Sequence, residues 1–274
     1  MRETLKKHWP HYLSEAAGLG FFMLCASAFT TVLRLPFSPL TQVIQDPWQQ
    51  LGTLGILMGF VIVAIVYSPW GKESGAHINP AVTLGFLRLG KITPLDAFFY
   101  IVAQFVGGAL GVQMMGLLLG AAYSHISINY VVTAAGPGGA MKGFIAEFVI
   151  SFILMMALLL VIKSRKTEKY AGAVAGVLIM LYLTFEEPYS GMSLNPARSF
   201  ASAFAARDWK DLWIYFSAPP LAMLLASQVF LWRFKSVEML PQHPMSEEKE
   251  QEEKESDAKQ PEQPTVSFIY GATP

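Results

Sequence analysis

Two short phrases hold most of the side chains that could do chemistry. One is SGAHINPAVTLG, residues 74 to 85, and the other is SGMSLNPARSFA, residues 190 to 201. Each sets an asparagine directly before Pro-Ala, giving Asn79-Pro80-Ala81 and Asn195-Pro196-Ala197. An asparagine amide donates and accepts hydrogen bonds but breaks no covalent bond. His77 and Arg198 adjoin these phrases, and Glu15 and Glu147 lie upstream of them. No nucleophile set beside a base, no metal-ligand cluster and no phosphate loop accompanies them, so the pattern argues against an enzyme and against any cofactor. The remaining histidines, among them His8, His11 and His125, are dispersed and offer no metal site. Cys25 is the only cysteine, which excludes an internal disulfide and leaves it as a small packing residue.

The elements that must position these residues follow from the distribution of charge. The 274 residues are 53% hydrophobic and carry 20 basic against 20 acidic side chains, a balance that points to no nucleic acid partner. From about residue 16 to 234 the ionisable residues sit in short islands between long apolar runs. Lys, Glu and Gln crowd instead into residues 245 to 263. A hydrocarbon core of about 30 Å needs roughly 20 apolar residues per helix. Six stretches qualify, near 13 to 33, 51 to 68, 95 to 122, 140 to 162, 170 to 185 and 212 to 233. The basic start MRETLKKH with its apolar run and CASAF has the outline of a secretory signal. That run continues to about Val32, however, and its removal would leave five spans.

Lys and Arg set the expected topology. Arg2, Lys6, Lys7, Lys72, Arg88, Lys91, Lys163, Arg165, Lys166, Lys169, Arg233 and Lys235 fall on one side of a six-span chain, and Arg34, Arg207 and Lys210 on the other. Both termini are therefore expected in the cytoplasm of a cell-membrane protein, in the plasma or inner membrane. The expected divisions are a cytoplasmic N-terminus at 1–11, a membrane domain at 12–236 and a disordered, solvated tail at 237–274.

The membrane domain repeats itself, about 12 to 122 and 140 to 236. Glu15 in SEAAGLGFFM matches Glu147 in AEFVISFILM, and the asparagines follow 116 residues apart. Three spans per half force the second copy to enter the membrane inverted, with a shared site near the midplane. After each Asn-Pro-Ala only about ten helix-compatible residues remain, or about 15 Å, half the core. The expected fold is therefore all-α, with six transmembrane helices and two re-entrant half-helices in an inverted 3+3 repeat. Asn is a strong N-cap and Pro suits the first helical position, so Asn79 and Asn195 start the half-helices and aim their positive ends at one central point. Glu15 and Glu147 would be costly in apolar spans unless they accept hydrogen bonds, and are read as braces for the re-entrant loops rather than as a proton relay. His77 is read as a third brace. Four glycine pairs, 55/59, 107/111, 116/120 and 172/176, have the four-residue spacing of close helix packing.

At these residues the sequence resembles the aquaporin, or major intrinsic protein, family over about residues 12 to 233. The resemblance implies a homotetramer in membrane lipid, with one pore per subunit that passes water or small neutral solutes. It makes Asn79 and Asn195 the central donors to a water oxygen, an arrangement that interrupts a proton wire while the helix ends oppose cations. It makes Arg198 the arginine of an outer constriction, in keeping with the cost of an arginine that does not face water inside a membrane. By spacing, Met192, Leu183 and Met58 take the other filter positions, with Gly59 the alternative to Met58 if the preceding loop aligns differently. Leu183 stands where water-selective members usually carry histidine, which puts the solute range in doubt. Ser199, where glycerol-conducting members usually carry Asp, and the Tyr215-Phe216 pair resemble the water-type branch. The alternatives are a glycerol, urea, ammonia or hydrogen peroxide facilitator and, from another class, a non-conducting membrane scaffold. Glu186 and Glu187 are expected at a solvated rim.

Overall fold

The computed structural model describes residues 2–234; the tail expected from 237 onward lies outside them. Six helices are long and apolar enough to cross a membrane: α1 (Arg2–Arg34), α2 (Pro47–Tyr67), α4 (Pro94–Leu119), α5 (Ala140–Ile162), α6 (Ala171–Phe185, which with the preceding turn Glu168–Tyr170 makes a span of 18 residues) and α8 (Leu212–Arg233). Two short ones complete the set, α3 (Pro80–Arg88) and α7 (Pro196–Ala206). They are 9 and 11 residues long, about 15 Å each at the helical rise. No strand occurs among the described residues. Five spans begin and end within about four residues of their expected limits. The first begins about eleven residues earlier, at Arg2, and carries Pro10 inside it.

This early start is tied down at one carboxylate. Tyr12 donates to Asp96 at 2.7 Å and His8 Nδ1 lies 2.9 Å from the same oxygen, fastening α1 to the first turn of α4.

The two repeats interlock. Half-helix α3 packs against α8, the last span of the other repeat, and α7 packs against α4. Within the bundle α1 lies along α4, α2 along α6 and α5 along α8. Glycine makes the tight crossings. A Cβ on Gly107 would sit 2.0 Å from the Ala16 carbonyl oxygen, and one on Gly59 2.7 Å from that of Gly176. Membrane helices lack a hydrophobic drive toward one another and associate by such close packing. Of the four glycine pairs expected to pack, 116/120 does not: both positions face open space, and Gly120 instead ends α4 with φ +53°.

Candidate channel site

Each half-helix begins as its residue types dictate. Asn79 Oδ1 accepts from Ala81 N at 2.8 Å, and Asn195 Oδ1 accepts from Ala197 N at 3.0 Å and Arg198 N at 3.2 Å. Proline follows at the first helical position, where no N–H is needed. The amide nitrogens then reach across the repeat interface. Asn79 Nδ2 donates to the Leu194 carbonyl and Asn195 Nδ2 to the Ile78 carbonyl, both at 2.8 Å. One hydrogen of each amide is thereby committed, and each Nδ2 keeps a second.

The loops leading to the asparagines are strained in matching places. Ala76 and Ile78 have φ of +49° and +40°, and Met192 and Leu194 have +45° and +59°. Such conformations cost on the order of 1–3 kcal/mol each and persist only where the surroundings fix them. Glu15 does this in the first repeat. It accepts from Ser74 Oγ (2.8 Å), His77 N (2.9 Å), Ile78 N (2.5 Å) and Gln104 Nε2 (2.7 Å). Glu147 does it in the second, accepting from Ser190 Oγ (2.9 Å), Ser193 N (2.6 Å) and Leu194 N (2.8 Å). Both carboxylates are fully buried. A second prop repeats as well: Tyr100 OH donates to the Ser74 carbonyl at 2.9 Å and Tyr215 OH to that of Ser190 at 2.5 Å.

His77 is buried among these groups. Its Nδ1 lies 3.1 Å from Thr83 Oγ1 and its ring stacks on Phe86 at 4.6 Å between centroids. The matching position of the second repeat holds Ser193, which bonds Ser199 at 2.5 Å; Ser199 in turn meets Thr133 of the 121–139 loop at 2.7 Å.

A cavity of about 510 Å³ runs from Lys72 and Lys169 at one end to Asn79 and Asn195 at the other. Its wall is mostly apolar, with Ile62, Val66, Phe86, Leu154 and Ile179. Met58, Leu183 and Met192 are all buried and do not line the cavity, and Arg198 Nη1 is buried with no hydrogen-bond partner among the described residues. Met58 stands one turn from Ile62 on the cavity-facing side of α2. Gly59 is turned instead into the crossing with α6, against Gly176.

Three features escaped the sequence reading. Gln104 and Tyr100 were not singled out, and Tyr215 figures only as a subtype marker, although the five-residue step from Ser74 to Asn79 recurs from Ser190 to Asn195 and marks the props. The third is a correction. Glu187 meets Arg34 at 2.8 Å, as a rim residue would. Glu186 does not belong to a solvated rim: both its carboxyl oxygens are buried without a partner among the described residues. It follows the last residue of α6 and points into the bundle rather than out of it.

Six spans with two inverted half-helices meeting at paired amides define a membrane channel of the inverted-repeat kind, an integral multi-pass protein. The comparisons give the family. The family model for the major intrinsic protein matches residues 3–230, and the chain belongs to that family. It is 35% identical to aquaporin TIP4-4 of Zea mays over 178 residues, 62% of this chain and 69% of that protein. It is 30% identical to nodulin-26 of Glycine max over 220 residues, 80% of this chain and 75% of that one. With several other plant aquaporins the match spans about three fifths of the relative's length. The fold is that of the aquaglyceroporin from Plasmodium falciparum, with a TM-score of 0.65, 22% identity, and coverage of 84% of this chain and 96% of that one.

Proposed function

We propose that this chain is a passive channel for water and other small neutral solutes that excludes protons and ions. The observation that carries the reading is the pair of asparagine amides, each held by one bond across the repeat interface and each keeping a hydrogen at the inner end of the cavity. A water whose oxygen accepts from both must turn its own hydrogens away, which breaks the wire along which a proton would hop. The positive ends of α3 and α7 add a barrier to cations at the same point. Pro80, Ala81, Pro196 and Ala197 serve this centre by starting the half-helices and permitting their close approach.

Arg198 with Met58, Leu183 and Met192 forms the outer filter. Three apolar side chains around one guanidinium leave a single fixed donor group, which favours small neutral molecules and disfavours cations. Met58 takes the position on α2, since Gly59 is occupied with Gly176. Glu15, Glu147 and His77 act as braces. The channel works as a homotetramer in a cell membrane, plasma or inner, with both termini cytoplasmic, in keeping with the placement of its Lys and Arg.

A second reading, passage of glycerol, urea, ammonia or hydrogen peroxide as a main task, is favoured by one feature of the sequence: residue 183, assigned to the filter, is a leucine and carries no polar side-chain atom. Stopped-flow light scattering on proteoliposomes separates the two. Shrinkage under an impermeant osmolyte reports water, and re-swelling under glycerol reports solute entry, with Arg198→Ala as the variant that widens the filter. Fast shrinkage with little re-swelling supports a water channel and fast re-swelling a solute facilitator. Neither flux would leave a non-conducting scaffold.

A further inference from the structure

The two repeats differ where the outer loop is braced. In the first, Gln104 of α4 gives Glu15 a fourth donor. The position in α8 that follows Tyr215 as Gln104 follows Tyr100 is Pro219, which has no donor to offer. Glu147 consequently accepts three bonds from the loop, and its Oε2 only one, from Leu194. A second carboxyl, that of Glu186, lies close enough for its charge and that of Glu147 to act on each other. Glu186, nine residues before Asn195, faces inward: it lies seven residues past Ile179, two turns along the same side of α6, and Ile179 lines the cavity. The first repeat has the exposed Trp70 nine residues before Asn79.

We propose that Glu186 is a positioning residue for the outer loop, which keeps its present shape only while the Glu186 carboxyl holds its proton, so that the outer filter loosens as the pH rises. Ionising Glu186 would set a buried charge beside Glu147, whose own charge the loop amides already stabilise, with the nearby Ser190 hydroxyl already donated to Glu147. A buried charge without a partner draws in water or moves away. The segment that must yield is 190–194, which carries Met192 and leads into Asn195 and Arg198. Burial first, and then the neighbouring charge of Glu147, push the Glu186 carboxyl up to about 8.

The other titratable and charged groups around it do not supply the missing positive charge. Tyr182, one turn earlier on α6, has a buried hydroxyl without a partner among the described residues. Glu187 adds negative charge and is itself paired with Arg34 of α1. Arg198 of α7 acts on Glu147, and Tyr215 of α8 is bonded to the Ser190 carbonyl.

The inference rests on the channel reading for its flux consequence, but its structural half is read separately. In full-length protein reconstituted in proteoliposomes, amide hydrogen exchange over residues 188–195 is compared between parent and Glu186→Gln at each of two values, about pH 7 and about pH 9. The expected result is equal exchange at the lower value and faster exchange in the parent at the higher. Glycerol entry relative to water should rise in the parent on the order of threefold across the same interval and stay flat in Glu186→Gln. Glu186→Ala, which also cannot ionise, repeats the test if the first variant does not fold. Equal exchange in parent and variant at both values overturns the proposal whatever the fluxes do. So does a rise in glycerol entry that both variants retain. A parent that passes neither water nor glycerol overturns the channel reading, and hydrogen exchange then still decides whether the loop answers to Glu186.

Discussion

Asn79 and Asn195 hold each other's loops: each donates its side-chain amide, at 2.8 Å, to the carbonyl of the residue just before the other. The two inverted loops are therefore joined by a reciprocal clasp, and on the proposed channel reading the same amides also serve as a pair of donors. Neither asparagine can be changed without loosening the loop that carries its counterpart.

Asn195→Asp tests this. A carboxylate still caps α7 but cannot donate to the Ile78 carbonyl, leaving that buried acceptor unpaired at a cost of about 1–3 kcal/mol. It also puts negative charge where two helix ends are positive. The expected outcome is a lower unfolding temperature in detergent together with a raised proton leak in vesicles; a leak unchanged from the parent would contradict the role given to Asn195.

The braces differ in how much depends on them. Removing Glu15 strands four donors, each worth about 1–3 kcal/mol when left buried and unsatisfied. That sum approaches or exceeds the whole stability of an ordinary domain. Glu15→Ala should therefore yield no folded protein by size-exclusion chromatography, while Gln104→Ala, which removes one donor, should fold with a lowered melting temperature.

The filter position on α2 is settled by a pair of variants. Gly59→Val drives a side chain into the Gly176 carbonyl and should cost about 1–3 kcal/mol through overpacking. Met58→Ala should instead raise glycerol entry relative to water. A rise in glycerol entry with Gly59→Val and none with Met58→Ala would reverse the assignment.

Glu186 also makes stability depend on pH. Its carboxyl is raised from an ordinary value of about 4.3 in the unfolded chain to about 8 in the fold. Between these values the folded protein binds more protons than the unfolded one, so stability falls as pH rises through that window and levels off above it. Thermal unfolding followed from about pH 5 to about pH 9 should decline less steeply in Glu186→Gln than in the parent. Parallel curves would show that another group is responsible.

Much of this was legible in the sequence because the repeat made it so. Asn79 and Asn195, or Glu15 and Glu147, would each be ambiguous alone; in matched places on inverted halves they fix the half-helices and the braces. Gln104 was hidden because one amide in a span has no counterpart to point at it, Pro219 standing in its place. Glu186 departs from expectation because a charge at the end of an apolar run normally reaches water, whereas its carboxyl oxygens are buried. Met58 and Gly59 differ by a single step of helical phase, and only the packing of α2 on α6 shows that Gly59 faces Gly176.

The most direct test measures water and protons in the same vesicles. Proteoliposomes containing the parent should shrink far faster than protein-free liposomes under an osmotic step, yet hold an imposed pH gradient as long as the protein-free liposomes do. A proton leak that grows with protein content, or shrinkage no faster than that of lipid alone, would contradict the account.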